Sequence, residues 1–250
     1  MLSKNKIKYI HSLELKKNRK EDKVFVAEGH KLVGDLLGHF HCKLLIATPE
    51  WLHKNPRVRA DETDEVTTEE LSRASFLKNP QEVLAIFEQS DTPLDISVIS
   101  SSLCLALDDI QDPGNLGTII RLADWFGIEH IFCSTNTADV FNPKTIQATM
   151  GAIARVKLHY CSLPDLISDL DGVPVYGTFL NGKNIYTQKL SRHGLIVMGN
   201  EGNGVSPEVE KLINQRLYIP NYPQERETSE SLNVAIATAI TCSEFRRQAL

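Results

Sequence analysis

The chain has 250 residues, of which 42% are hydrophobic, and its net charge is −5. This composition supports a substantial core in one large domain or two modest ones, and it argues against a general polyanion binder. The five cysteines are scattered, the N-terminus lacks an apolar signal region, and no segment reaches the roughly 18 apolar residues of a membrane helix. We therefore expect a cytoplasmic protein with reduced thiols and without a disulfide framework, a zinc knuckle or a membrane span.

Basic residues are concentrated at the N-terminus. Residues 1–31 hold nine Lys and Arg against four acidic residues, so the remainder of the chain is strongly acidic. Such a basic segment in front of an acidic body is typical of an arm that contacts phosphates. A solvated basic helix face explains the charge alone equally well, and both interpretations stay open at this point.

The first ninety residues predict a small α/β unit. Residues 49–66 are polar and read as irregular, and the helix over 67–74 begins with a capping box formed by Thr67 and Glu70. The other predicted elements are helices over 5–20 and 30–37 and strands over 23–29, 43–47 and 83–87. The Ser-, Thr- and Pro-rich segment that follows marks a boundary, so the predicted domains are 1–92 and 101–250.

Beyond this boundary, strands alternate with helices. Strands are predicted over 103–108, 129–133, 155–159, 173–179, 195–198 and 217–220, and helices over 115–126, 143–153, 163–170, 206–214 and 231–247. This alternation predicts right-handed crossovers and a parallel sheet with helices on both faces. The last helix has few charges before Glu244, so we expect it to be buried, in the core or in a subunit interface.

The strand, turn and helix over Leu103–Gly127 provide the first candidate site. Ligands of open α/β sheets bind outside the carboxyl ends of strands, and here that position holds acidic residues, Asn115 and then Arg121. The carboxylates of this turn could be metal ligands, but strand-end and helix caps fit them better. The acidic residues are Asp108, Asp109 and Asp112.

Three further polar segments lie at predicted strand ends or at a helix start. Residues 177–184 nearly spell a P-loop, but Asn184 stands where Ser or Thr must hold Mg²⁺, so an Asn-Gly turn is the better interpretation, with Thr178 lining a pocket. The loop over 199–204 places three glycines around Glu201, which lets a ligand approach the backbone closely. Ser231 and Asn233 lie at the start of the last helix, where caps are expected in any case.

Three of these segments, in this order and spacing, carry a resemblance to a known family. DPGNLGTIIRLADWFG, LIVMGNEGNGVSPEV and IPN…ESLNVAIATAI resemble the three motifs of the SpoU branch of the SPOUT methyltransferases, and PKTIQATMGAIARV resembles the intervening helix. The match runs from Leu103 to the C-terminus, while the first ninety residues resemble the ribosomal-protein-like RNA-binding domain that many members carry. The family methylates RNA at ribose 2′-oxygens.

The resemblance implies several properties together. They are an α/β fold whose parallel sheet ends in a C-terminal trefoil knot, S-adenosylmethionine as methyl donor, and a homodimer formed through the C-terminal domain. The implied partner is RNA, ribosomal rather than transfer RNA, with no membrane and no metal. The alternatives kept open are the same reaction on tRNA and a catalytically silent RNA-binding module.

The motif positions carry expected roles over to single residues. Those expected to hold the cofactor are Thr178, Gly199, Asn200, Ile219 and Leu232, and those expected at the catalytic positions are Asn115, Arg121, Glu201, Ser231 and Asn233. A guanidinium is almost never deprotonated in a protein, so we expect Arg121 to bind RNA phosphate and stabilise negative charge rather than act as the base. We expect Asn115 and Asn233 to orient the ribose. Ser231 would hold its loop, and Glu201 would fix Arg121 or its neighbours.

The sequence departs from the family in one segment, and two competing sites are disfavoured. The segment 221–230 is longer and more charged than the family's usual link, so we expect substrate approach to differ there. A nucleotide-binding protein that uses residues 177–184 is disfavoured because the Ser or Thr is missing. A metal site built from His39, His41 and Cys42 is disfavoured because the three residues are adjacent and lack distant partners.

Overall fold

The structure is a computed structural model that describes residues 2–90, 93–223, 226 and 231–250. The elements of the first ninety residues are α1 (Lys4–Ser12), α2 (Lys16–Asp22), β1 (Val24–Glu28), α3 (His30–Leu36), β2 (Cys42–Ala47), α4 (Pro49–Lys54), β3 (Glu62–Glu65), α5 (Thr68–Ala74) and β4 (Val83–Glu88). Those that follow are β5 (Leu103–Leu107), α6 (Pro113–Trp125), β6 (His130–Cys133), α7 (Pro143–Thr149), β7 (Lys157–Tyr160), α8 (Leu163–Ser168), β8 (Val175–Asn184), β9 (Gly194–Met198), α9 (Pro207–Glu210), β10 (Gln215–Tyr218) and α10 (Val234–Ala249).

The chain forms two compact units. The first contains residues 2–90 together with Asp139–Ala154, and the second contains residues 93–138, 155–223, 226 and 231–250. Segment 139–154, which includes α7, therefore packs with the N-terminal residues, although it lies inside the range 101–250 predicted for the second domain. Nothing in the local sequence of this segment indicates that packing.

A buried arginine attaches segment 139–154 within the first unit. Arg19 is only 1% exposed, and its guanidinium donates to the carbonyl oxygens of Leu13 and Glu14 and, at 2.6 Å, to Oδ2 of Asp139. It thus satisfies carbonyl groups left free where α1 ends and neutralises a carboxylate far along the chain. The ring of Phe25 stacks on that of Phe141 with centroids 5.2 Å apart, which adds an apolar contact to the same attachment.

The sheet of the first unit has the order β1-β4-β2-β3, antiparallel except for the parallel pair β2 and β3. The capping box of Thr67 and Glu70 is present as predicted. Two expectations were wrong. The helix predicted over 5–20 is divided by a turn into α1 and α2, and residues 49–66 contain α4 and β3. Strand β3 escapes sequence patterning because it is an edge strand of polar residues held by backbone pairing with β2.

The second unit is built on a six-stranded, entirely parallel sheet of order β10-β8-β9-β5-β6-β7. This confirms the predicted parallel α/β sheet. Every residue of the central strands β5 and β9 is buried, as expected for a parallel sheet covered on both faces. No helix among the described residues is long and apolar enough to cross a bilayer.

Several predicted boundaries in the second half of the chain differ from the structure. Residues 177–184 are not an Asn-Gly turn but the continuation of β8, and the helix predicted over 206–214 is the single turn α9. Helix α7 ends at Thr149 because Met150 adopts a left-handed conformation with φ of 51°. Helix α10 begins at Val234 rather than at residue 231, because Asn233 is its N-cap.

The last helix is anchored as its apolar sequence predicted. Helix α10 packs against α6, and the ring of Phe245, which is 2% exposed, meets that of Tyr176 edge to face. The guanidinium of Arg246 donates to the carbonyl oxygens of Phe126 and Gly127 at 2.6 and 2.8 Å. Arg246 therefore satisfies carbonyl groups where α6 ends and fixes α10 along it.

Candidate functional site

Strand register brings three polar segments to one edge of the parallel sheet. Leu107 of β5 lies beside Met198 of β9, and Gly177 of β8 lies beside Val197. The residues that follow these strand positions therefore emerge together at the carboxyl edge, where α/β proteins bind ligands. These segments begin with Asp108, Thr178 and Gly199.

The turn after β9 is closed by a glycine that admits no side chain. A Cβ on Gly199 would lie 2.3 Å from the carbonyl carbon of Gly204 and 2.4 Å from the nitrogen of Val205. Real Cβ atoms do not approach backbone atoms so closely, so the two ends of the loop touch only because residue 199 is glycine. The loop 199–205 is therefore a tight backbone turn with its peptide groups near the strand end.

Asn200 organises the interior of the same loop. Its backbone exchanges two hydrogen bonds with Gly204, and its Oδ1 accepts from the nitrogens of Gly202 and Asn203. Its Nδ2 donates to the carbonyl oxygen of Asp109 at 2.7 Å, which ties the turn to the end of β5. The Oδ1 atom of Asn200 and one N–H of its NH₂ group are thus committed to the backbone.

The three aspartates after β5 are divided between capping and loop contacts. Asp108 is 5% exposed and its Oδ2 accepts from the nitrogen of Ser206 at 2.7 Å, while Asp112 caps α6 through the nitrogen of Asn115. Asp109 accepts from the amide of Gln111. Among the described residues there is no group of three or more His, Cys, Asp or Glu able to hold a metal ion, and His39, His41 and Cys42 belong to none.

One cavity of about 520 Å³ lies at this strand edge. All five residues predicted to hold a cofactor line it, together with Glu201 and Ser231 from the catalytic set. The lining also includes residues outside the predicted cofactor-holding and catalytic sets, namely Phe179, Leu180, Met198, Gly202, Asn203, Gly204, Val205, Tyr218, Val234 and Ala237. Residues 178–180 belong to β8 and lie beside the end of β9. A prediction that β8 and β9 are neighbouring parallel strands would therefore have identified Phe179 and Leu180 as cavity residues.

Three predicted catalytic residues form a chain of hydrogen bonds. Nδ2 of Asn233 donates to Oδ1 of Asn115 at 3.1 Å, and Nδ2 of Asn115 donates to Oε1 of Glu201 at 2.7 Å. The direction of this chain follows from α10. Oδ1 of Asn233 accepts from the nitrogens of Ala235 and Ile236 at the helix start, so only its NH₂ group is left to donate. The helix cap therefore sets the orientation of both amides, which end on a carboxylate.

Arg121 lies apart from this chain. It is exposed on α6, and its guanidinium makes no hydrogen bond or ion pair with any residue in the described ranges. Six residues separate it from Asn115, which places the two side chains about 120° apart around a helix with 3.6 residues per turn. Glu201 bonds to Asn115 rather than to Arg121, and Arg121 does not line the cavity.

Ser231 and Leu232 complete the cavity wall just before α10, with the Leu232 side chain 48% exposed. Ser231 is not the cap of α10, because Asn233 fills that position. The charged segment 221–230, for which a different substrate approach was expected, lies largely outside the described residues: 224, 225 and 227–230 are not described.

Variants of Asn233 separate the helix cap from the hydrogen-bond chain. Replacing Asn233 by Ala removes the cap of α10, so we expect the free energy of unfolding to fall by about 1 kcal/mol. Asn233→Asp keeps a capping oxygen and adds a charge that a helix N-terminus favours, so stability should be preserved, although Asp cannot donate to Asn115. Urea unfolding followed by circular dichroism measures both. The exposed Ser243→Ala serves as control, and equal losses for the two Asn233 variants would contradict the capping role.

Two protein-family models match successive parts of this chain. The SpoU rRNA methylase family model matches residues 102–243, and the MRM3-like substrate binding domain model matches residues 4–85. The 23S rRNA (guanosine(2553)-2′-O)-methyltransferase RlmP of Bacillus subtilis is 33% identical over 250 residues, covering 96% of each chain.

Two solved structures extend the agreement to the whole chain. A TrmH-family protein from Porphyromonas gingivalis superposes with a TM-score of 0.89 at 42% identity and covers 99% of both chains. The AdoMet-bound rRNA methyltransferase from Sinorhizobium meliloti superposes with a TM-score of 0.86 at 34% identity, covering 100% of this chain and 97% of that one. With a family model over more than half of its length and a full-length relative, the chain belongs to the SpoU rRNA methylase family.

Proposed function

We propose that this protein is an S-adenosylmethionine-dependent methyltransferase that modifies a ribose 2′-hydroxyl in ribosomal RNA. The observation that carries the proposal is the chain of hydrogen bonds from Asn233 through Asn115 to Glu201, which ends at a cavity built on Gly199. Membership of the SpoU family and the rRNA activities named for the relatives support it. Methylation of tRNA and silent RNA binding remain the alternatives.

The cavity suits S-adenosylmethionine in size and in character. About 520 Å³ accommodates a ligand of this kind, and its walls combine apolar side chains with the peptide groups of loop 199–205. Gly199 presents no side chain at the point where this loop closes on Gly204. We propose that Thr178, Gly199, Asn200, Ile219 and Leu232 hold the cofactor, which supplies a methyl group on a sulfonium centre when bound.

The polar residues have roles that follow from their chemistry. Methyl transfer requires the ribose oxygen to be aligned with the methyl group, and a pre-oriented amide serves this purpose because no further reorganisation is needed. We assign that task to Asn115 and Asn233, and we assign to Glu201 the fixing of Asn115 rather than of Arg121. Ser231 holds the loop before α10. Arg121 binds RNA phosphate and stabilises negative charge, while the proton leaves through phosphate or water.

We also propose a homodimer formed through α6 and α10. Trp125 on α6 is 83% exposed and Ile236 on α10 is 52% exposed, although the two helices pack on each other. Exposed large apolar side chains on neighbouring helices are typical of a protein interface. Arg121 precedes Trp125 by four residues and so shares its face of α6, which places Arg121 at the edge of such an interface.

Replacing Trp125 tests this interface. Trp125→Glu introduces a charge into the proposed apolar contact, so we expect sedimentation equilibrium to report a monomer where the unchanged protein is a dimer. The circular dichroism spectrum should stay the same, because Trp125 is largely exposed within the single chain. Leu94→Glu, at a side chain that is 54% exposed elsewhere in the second unit, is the control. A dimer that survives Trp125→Glu would contradict the interface.

We propose that the first unit binds the RNA through lysines on α1 and α2. Lys4, Lys8, Lys16, Lys17 and Lys20 are exposed, and none has an ion pair within the described part of the chain. Lys16 and Lys17 occupy the first turn of α2, where no acidic residue and no side-chain cap is present. Cations at a helix N-terminus are unfavourable, so these positions do not serve helix stability, and phosphate groups are the natural partner.

Removing two of these charges tests the proposed RNA surface. For Lys16→Ala/Lys17→Ala we expect weaker binding to rRNA fragments, with the slope of log K against log salt reduced by about 1.5, because roughly 0.7 to 0.9 is lost for each phosphate contact. Binding of S-adenosylmethionine should not change. Fluorescence anisotropy over a salt series measures the slope, and Lys189→Ala/Lys211→Ala removes two exposed charges of the second unit as a control. Equal slopes for both double variants would rule out the assignment.

The proposed reaction is tested by incubating the protein with radiolabelled S-adenosylmethionine and separate pools of unmodified rRNA and tRNA. Nucleoside analysis after nuclease digestion should find label in a 2′-O-methylnucleoside from rRNA. Arg121→Ala should abolish this label while leaving the cofactor Kd measured by calorimetry unchanged, because Arg121 does not line the cavity. Label from tRNA alone would favour the alternative substrate, and loss of cofactor binding in Arg121→Ala would contradict the role of Arg121.

Two further properties implied by the family stay predictions. The first is the threading of the C-terminal segment as a trefoil knot, and the second is a cytoplasmic location. Both fit a SpoU methyltransferase that acts on ribosomal RNA.

A further inference from the structure

Strand β8 carries a bulge next to β10 that forms one wall of the cavity. Gly177 pairs with Arg216, but the next residue of β10, Leu217, pairs with Lys183. Residues 178–182 of β8 therefore have no paired residue in β10, and we call them the 178–182 bulge. Thr178, Phe179 and Leu180 of this bulge line the cavity.

The side chain of Arg216 contacts the 178–182 bulge at two residues and is itself anchored to α9. The guanidinium carbon lies 3.7 Å from the ring centroid of Phe179. Its Nη2 donates to Oδ1 of Asn181 at 2.7 Å, and its Nη1 donates to Oε1 of Glu210 in α9 at 2.6 Å. Unlike the ammonium of lysine, the planar guanidinium can stack on a ring and donate from two edges at once.

The ring of Phe179 is confined from a second direction. A Cβ on Gly177 would lie 2.7 Å from Cε2 of Phe179 and 2.6 Å from Cδ1 of Ile213, so the space beside the ring exists only because residue 177 is glycine. By contrast, Leu180 in the middle of the bulge is 74% exposed and packs little. The conformation of this cavity wall thus depends on how Phe179 and Asn181 are held.

We propose that Arg216 is a positioning residue for the cofactor: by stacking on Phe179 and bonding Asn181, it keeps the 178–182 bulge in the shape that receives S-adenosylmethionine. Arg216 does not line the cavity, so it acts through Phe179 and not by direct contact. The inference rests on the proposed function, since it concerns the same cavity. When the cavity wall is already ordered before binding, the free energy of cofactor binding is not reduced by the entropy cost of ordering that wall.

The test compares cofactor affinity and turnover in Arg216 variants. We expect Arg216→Ala to raise the Kd for S-adenosylmethionine, measured by calorimetry, about tenfold, and to raise its KM in parallel. The kcat at saturating cofactor and the KM for RNA should stay within about twofold, because the chain of Asn233, Asn115 and Glu201 is untouched. Arg216→Lys keeps the charge opposite Glu210 but loses the stacked fork, so it should keep the melting temperature and still bind the cofactor more weakly.

A double-mutant cycle with Phe179→Leu tests whether the effect passes through the ring. In the Phe179→Leu protein, Arg216→Ala should raise the Kd by a smaller factor than it does in the unchanged protein, because the stacked partner is already absent and only the bond to Asn181 is left to lose. Arg192→Ala is the matched control, since Arg192 is an exposed arginine of the same unit that donates to the carbonyl oxygen of Ala249. Its Kd should equal that of the unchanged protein.

The outcomes distinguish this inference from the proposed function. If the unchanged protein binds S-adenosylmethionine and Arg216→Ala binds it equally well, the positioning role is overturned while the methyltransferase proposal stands. A fall in kcat with an unchanged Kd also overturns it. If the unchanged protein does not bind S-adenosylmethionine at all, both proposals fail together.

Discussion

The hydrogen bond from the nitrogen of Ser206 to the buried carboxylate of Asp108 is the interaction on which the site depends. It joins the end of β5 to the far side of the loop that follows β9, and a shift in strand register would leave a carboxylate that is 5% exposed without its donor. The pairing of Leu107 with Met198 is thereby fixed. The tight turn at Gly199 and the opening of the cavity follow these strand ends, so their positions depend on that register.

The polar chain at the cavity takes its direction from a helix end. The N-terminus of α10 uses the carbonyl of the Asn233 amide, so the NH₂ group turns to Asn115 and that residue in turn to Glu201. Such a chain needs no substrate to orient it, which is the condition for catalysis by pre-set dipoles. The cation of Arg121 lies on another face of α6, so in the proposed mechanism charge and alignment come from different parts of the molecule.

The arginines of this chain differ in burial and in the partners of their guanidinium groups. Arg19 is buried and joins the end of α1 to Asp139, whereas the lysines around it on α2 are exposed. Arg216 stacks on a ring of the cavity wall, and Arg121 has no partner within the described ranges. The basic residues of the N-terminus are thus not all surface charges, because Arg19 is buried. Counting charges along the sequence cannot separate these cases, because the partners lie far away in the chain.

Local patterns in the sequence determined the elements and several of their ends. The alternation of strands and helices predicted the parallel sheet, the capping box of Thr67 and Glu70 was found, and the motif residues identified the segments that line the cavity. These features depend on residues a few positions apart. Only the tertiary structure decided the edge strand β3, the packing of segment 139–154 with the first unit, the 178–182 bulge and the position of Arg216, because each depends on contacts between distant residues. Arg216 and Asn181 are 35 residues apart, and no local pattern relates them.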